Sequence, residues 1–224
     1  MTITSRDITH TLSRYLASHP AEHDELEPLL SSLAEGADVT ARSSVPGHVT
    51  CGAAVINDTG KILLIRHKAL DRWLLPGGHL DPADPGLLAA ALRELGEETG
   101  IGWQQAVSPP GLDRTPLDID LHRIPANPAK AEPEHWHADF RYAFLVTDPA
   151  VLLQLEEVSA YAWQPPSSLP ATRPPCPRRR DEPAGRRQPG QDHRRPRSRR
   201  RRGEGGSRRY VLTRSPTLRP GGTS

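Results

Sequence analysis

Apolar residues in the first 34 positions recur at helical spacing: Ile8, Leu12, Tyr15 and Leu16, then Leu26, Leu29, Leu30 and Leu33, interrupted at His19-Pro20. A period near 3.6 residues predicts two short amphipathic helices between Thr4 and Ala34. The pattern changes after the polar stretch 36–47. VTCGAAVIND is an almost continuous run of β-branched and small apolar residues, and Asn57-Asp58-Thr59-Gly60 then turns into KILLIRHK, which predicts a hairpin with a buried first strand. Further on, LDIDLHRI (117–124) alternates apolar with polar as a half-buried strand does, and DFRYAFLV (139–146) reads as another. Glu156 and Glu157 fall in or beside a loop before a short strand, Tyr161–Trp163, and Gln164-Pro165-Pro166 then breaks regular structure.

Between the hairpin and these later strands lies RWLLPGGHLDPADPG, a short apolar stretch and a Gly/Pro/Asp loop, followed by a helical segment placed at about 85–99. Asp84 is suited to cap its first N–H groups, Pro85 needs no N–H partner at the first helical position, and Gly100 can take the left-handed conformation past its end. Leu87, Leu88, Ala91, Leu92 and Leu95 give the helix an apolar side, while Glu94, Glu97 and Glu98 stand at i, i+3 and i+4 and share a face. Such a face is either merely solvated or a site where hard divalent cations relieve the repulsion. Mg²⁺ takes oxygen ligands and bridges carboxylates to phosphates.

The stretch LLPGGHLDPADPGLLAAALRELGEETGI resembles the Nudix box: Gly, five residues, Glu, seven residues, then Arg-Glu-aliphatic-x-Glu-Glu-x-Gly-aliphatic. Its second half, Arg93-Glu94-Leu95-Gly96-Glu97-Glu98-Thr99-Gly100-Ile101, matches at every specified position. The first half departs, since the loop is one residue longer and Asp84 stands where the family has Glu. The resemblance implies an α/β fold, a Nudix-type α/β/α sandwich with a mixed sheet. It implies a Mg²⁺-dependent hydrolase, with Mn²⁺ as an alternative ion, that cleaves the P–O–P bridge of a nucleoside diphosphate linked to another moiety by attack of metal-activated water. By the same resemblance the carbonyl of Gly77 and the carboxylates of Glu97 and Glu98 hold metal, Glu94 binds metal or acts as general base, and Arg93 orients Glu94. Asp84 is either a further metal ligand or a helix cap. Glu157, in a stretch like the family's late Glu-then-Trp segment, is the candidate for a carboxylate from outside the box. A non-catalytic nucleotide-binding module of the same family is the rival reading.

Two features lie outside the box. If extended, Glu134-His135-Trp136-His137-Ala138-Asp139 puts His135, His137 and Asp139 on one side, where with Gly78 they are candidates to line a substrate pocket; a transition-metal triad is a second reading. Trp136 and Tyr142 are expected to pack in the core. Gly96, costly inside a helix, is expected to permit close approach of a neighbouring segment.

Composition sharpens the boundaries. Hydrophobic residues make up 35% of the 224, below the usual globular share, so part of the chain is expected to be unpacked. Residues 171–224 carry +13 (17 Arg against 4 acids), which from a total of +2 leaves −11 for residues 1–170. This divides the chain into a helical extension over 1–45, a hydrolase domain over 46–170 and an Arg/Pro/Gly-rich tail expected to be disordered. The tail is read either as a nucleic-acid binder, its 12 arginines at 178–202 offering phosphate contacts, or as a shifted reading frame of a GC-rich gene. Cys51 and Cys176 make no disulfide framework, and no signal core or membrane span stands out, so a cytoplasmic protein is expected, with a homodimer through the N-terminal helices one possibility.

Overall fold

A computed structural model describes residues 2–147 and 149–168. The tail over 171–224, with both readings of it, lies outside the described residues. Two helices open the chain, α1 (Ser5–Ser18) and α2 (Glu27–Ala34), separated by a 3₁₀ turn at Pro20–Glu22, as the break at His19-Pro20 predicts. Thr4 caps α1: its hydroxyl accepts the Asp7 N–H, while the Asp7 carboxylate accepts the Thr4 N–H, so two otherwise free donors are satisfied reciprocally. Ile8, Leu12, Tyr15, Leu26 and Leu29 belong to the same buried cluster as the sheet residues Val49, Ala53, Phe140 and Phe144.

Seven strands form one sheet: β1 (Gly47–Ile56), β2 (Ile62–His67), β3 (Arg72–Leu74), β4 (Gly77–His79), β5 (Asp118–Ile124), β6 (His135–Leu145) and β7 (Val158–Gln164). The order is β3-β2-β1-β6-β5, with β4 added to β1 and β7 added to β2. The sheet is mixed. β1 and β6 run parallel along their whole length and the other pairs are antiparallel. The central position of β1, with β2, β4 and β6 all paired to it, explains why its sequence is a continuous apolar run rather than an alternation. In β6, Trp136, Ala138, Phe140 and Tyr142 are buried and alternate with half-buried His135, His137, Asp139 and Arg141.

Three sequence expectations change. β6 begins at His135 rather than 139, because its first residues pair with the start of β1 (Gly47 with Trp136). The Pro-Gly-Gly loop contains a short strand, β4, whose glycines leave no apolar signal but pair with Gly52 and Cys51. The third helix, α3, spans Leu87–Thr99 instead of 85–99, with Gly86 as its N-cap in extended conformation and no side-chain cap. Gly100 ends α3 as expected, at φ 70° in the left-handed region, with its N–H on the Gly96 carbonyl.

Candidate active site

The apolar stripe of α3 runs Leu87, Ala91, Leu95 and then Glu98, so the last carboxylate of the Glu-Glu pair lies on the buried side of the helix. Three acidic residues that share a face on a helical wheel are thus graded in exposure: Glu98 is 3% exposed, Glu94 is half-buried and Glu97 is exposed. Glu98 reaches the Pro-Gly-Gly loop, where its Oε2 accepts the N–H of Gly77 at 2.8 Å. The same loop lies close against β1 and Glu94. A Cβ on Gly77 would lie 2.6 Å from the Cys51 carbonyl oxygen, and one on Gly78 would lie 2.6 Å from Oε1 of Glu94. Gly77 is therefore a steric requirement for pairing β4 with β1, while at Gly78 the Glu94 carboxylate occupies the place a side chain would take.

Arg93 binds the acidic group together. Its Nε and Nη2 donate to the two oxygens of Asp84 at 2.9 and 3.0 Å, its Nη1 donates to Glu94 at 3.0 Å and Glu97 at 2.9 Å, and Nη2 also donates to the carbonyl of His79 at 2.9 Å. Asp84 is 4% exposed and also accepts the Asp81 N–H at 2.8 Å. Its carboxylate is thus neither a helix cap nor turned from the arginine: it is the buried half of a bidentate pair, the arrangement in which Arg–carboxylate contacts are strongest. Gly96 does not serve a close approach either, since a Cβ there would meet only the Ile101 carbonyl at 3.8 Å.

Four carboxylates around one guanidinium leave an excess of negative charge. Burial pushes the Glu98 carboxyl up to about 8, helped by Glu94, Glu157 and Glu97, and opposed by the Gly77 N–H. Burial also raises Glu94, against the pull of Arg93. Among the described residues no cationic side chain forms a salt bridge to Glu98. Glu157 is exposed beside β7, its backbone carbonyl accepting the Lys68 N–H at 2.8 Å, and its charge is felt by both Glu94 and Glu98. This oxygen-rich, under-neutralised donor set fits a hard divalent cation.

A second polar surface crosses the sheet in rungs fixed by strand register. His122, His137 and His48 align across β5, β6 and β1; Asp120, Asp139 and Thr50 form the next rung; Asp118 and Arg141 form the third. Arg141 donates to Asp139 at 2.8 Å, Asp118 at 3.0 Å and Asp120 at 2.6 Å, and Thr50 donates to the other oxygen of Asp139 at 3.1 Å. Asp139 shares the face with His135 and His137, but its carboxylate is engaged by Arg141 and Thr50. The histidines instead gain His48 and His79, with ring centroids of 4.5 Å (His48 to His137), 5.1 Å (His48 to His79) and 5.2 Å (His79 to His137). Sequence reasoning missed His48, His79 and Arg141. Polar residues at period two in β5 and β6 signal the face, whereas the parallel pairing that delivers His48 has no local mark.

A family model, the NUDIX domain, matches residues 46–188. The chain belongs to the Nudix family. It is an enzyme of the Nudix pyrophosphohydrolase type, and enzymes of this family generally work with a divalent metal. The chain is similar to a probable DHNTP pyrophosphohydrolase of Lactococcus lactis subsp. cremoris (strain MG1363), at 31% identity over 146 residues, which is 61% of this chain and 83% of the relative. It is 49% identical over 61 residues to phosphatase NudJ of Escherichia coli (strain K12), but that match spans only 25% of this chain and 37% of the relative. Among solved structures, a C. elegans Ap4A hydrolase binary complex aligns over 52% of this chain and 79% of that one, at 21% identity and a TM-score of 0.41. Among the described residues no helix is long and apolar enough to cross a membrane.

Proposed function

We propose that this Nudix enzyme hydrolyses the P–O–P bridge of a nucleoside diphosphate derivative with Mg²⁺, Mn²⁺ being an alternative, at a site built by the Gly77 carbonyl and the carboxylates of Glu94, Glu97 and Glu98. The observation that carries the reading is the buried Glu98, oriented by the Gly77 N–H in a group of four carboxylates that has one guanidinium to balance it. A bound divalent cation would supply Lewis acidity and neutralise the diphosphate oxygens. Arg93 holds Glu94 and Glu97 through one nitrogen, which fixes both carboxylates relative to the loop. Asp84 is assigned to positioning: by pairing with Arg93 it sets the guanidinium, and through it Glu94. Glu94, half-buried with a raised proton affinity, suits acceptance of a proton from an attacking water. Glu157 is the candidate further carboxylate. The functional unit is residues 46–170, with 1–45 as a helical extension that shares its core.

The chemistry of the attached group is best sought among substrates of the kinds named for the relatives, pterin or nucleoside triphosphates, with dinucleoside polyphosphates beside them. Screening these with nucleotide sugars, in Mg²⁺ and in Mn²⁺, should give phosphate or diphosphate release that is lost in Glu97→Gln while circular dichroism stays unchanged. Metal-dependent turnover that survives Glu97→Gln and Glu98→Gln would reject this site.

A further inference from the structure

We propose that His48, His135 and His137 form a binding site for a borderline transition-metal cation of the Zn²⁺ class, separate from the carboxylate site on α3. One ring nitrogen from each lies within 4.8 Å of the others. The Nε2 atoms of His135 and His137 are 3.2 Å apart, close to the separation of roughly 3.3 Å that two nitrogens take around a tetrahedral ion with Zn–N of about 2.0–2.1 Å.

At His48 and His135 the tautomers agree with this arrangement. Nδ1 of His135 is 2.9 Å from the Pro133 carbonyl and Nδ1 of His48 is 3.4 Å from the Ser44 carbonyl. A carbonyl only accepts, so each Nδ1 carries the proton and each Nε2 presents a lone pair. Outer hydrogen bonds of this kind orient the imidazoles of metal sites. His48 is 1% exposed, and among the described residues its Nε2 has no hydrogen-bond partner. An orphaned acceptor so deeply buried normally finds a partner, and a cation shared with His135 and His137 supplies one.

Strand register places the donors. His48 and His137 are directly paired on the parallel strands β1 and β6, and His135 is two residues before His137 on the same face. Three imidazoles favour Zn²⁺, Co²⁺, Ni²⁺ or Cu²⁺, whereas the oxygen donors on α3 favour Mg²⁺ or Mn²⁺, so the two sites select different ions. They are linked through His79, whose ring stands beside the trio and whose carbonyl accepts from Arg93. Three protein ligands leave a fourth position open to water or an incoming group.

The test uses the full chain, stripped with chelator and kept in millimolar Mg²⁺ to occupy the carboxylate site. Titration with Zn²⁺ by calorimetry, and with Co²⁺ by visible absorption, should show one equivalent bound per chain. His135→Ala and His137→Ala should each weaken binding by at least the order of 100-fold, the upper range for loss of an outer partner, while Glu97→Gln leaves it unchanged. His135 is half-buried at the start of β6, so its replacement keeps the test intact if a His48 variant fails to fold. Absence of uptake in excess Mg²⁺, or uptake that is unaltered in both histidine variants, would overturn the proposal.

Discussion

Arg93 and Arg141 each gather three carboxylates, yet the charge around them is balanced differently. At Arg141 the partners are Asp118, Asp120 and Asp139, and His122, with its Nδ1 3.2 Å from the Asp120 carboxylate, has its proton affinity raised by that neighbour. Although burial works against it, Asp120 is held below the usual carboxylate range by His122 and Arg141. At Arg93 the partners are Asp84, Glu94 and Glu97, with Glu98 close by, and there the shift reverses: Glu94 and Glu98 are pushed up. Similar residue types thus give a brace across the sheet that holds Asp120 in its charged form in one place and an electrostatic deficit in the other. The deficit is what a divalent cation would fill.

The largest expected effect is on turnover. Glu98→Gln removes a carboxylate from the under-neutralised group and should lower Mg²⁺-dependent kcat by roughly 10³-fold, corresponding to several kcal/mol of lost charge stabilisation. Its urea midpoint should not fall. Arg141→Ala should do the opposite: with Asp120 left buried and short of its cation, stability should drop by about 3 kcal/mol in urea unfolding, the lower end for breaking a buried pair. Turnover per folded molecule should persist. If Arg141→Ala abolished turnover without loss of stability, the division into brace and site would be wrong.

Acidity offers a finer contrast. Metal-free, Glu98 has a folded-state value of about 8 against 4.5 for the free side chain. A raised value means that the protonated form is favoured by folding, so the contribution is fully present below about 4.5 and is lost as pH rises through about 8. In chelator, the melting temperature of Glu98→Gln should therefore gain on that of the wild type between about pH 5 and pH 8.5. Added Mg²⁺ should close that gap by stabilising only the wild type. A gap independent of pH would remove the electrostatic account of Glu98. The smallest effect concerns the helix alone: Gly96→Ala has room for its methyl and should stabilise α3 by about 0.5–1 kcal/mol, measured as a small rise in urea midpoint.

The same contrast explains what could be read from sequence. Arg93, Glu94, Glu97 and Glu98 are within six residues on one helix, so a local period displays them together. Arg141, Asp118 and Asp120 meet through antiparallel pairing over 21 to 23 positions, and His48 meets His137 through a parallel pair 89 positions apart, which only the assembled sheet reveals. Asp84 was visible but ambiguous: a residue type suited to capping also suits a buried ion pair, and the bidentate contact with Arg93 prevailed over the free N–H groups of α3. β4 escaped notice because its glycines, one of them packed on the β1 backbone, carry no hydrophobic pattern.

We propose that the carboxylates of α3 form a divalent-metal site. It is tested most directly by titrating the full chain with Mn²⁺ and following the free-ion electron paramagnetic resonance signal, in wild type and in Glu98→Gln. Saturable uptake by the wild type that is weakened at least on the order of 100-fold in the variant is the predicted result. Equal uptake by both proteins would contradict it.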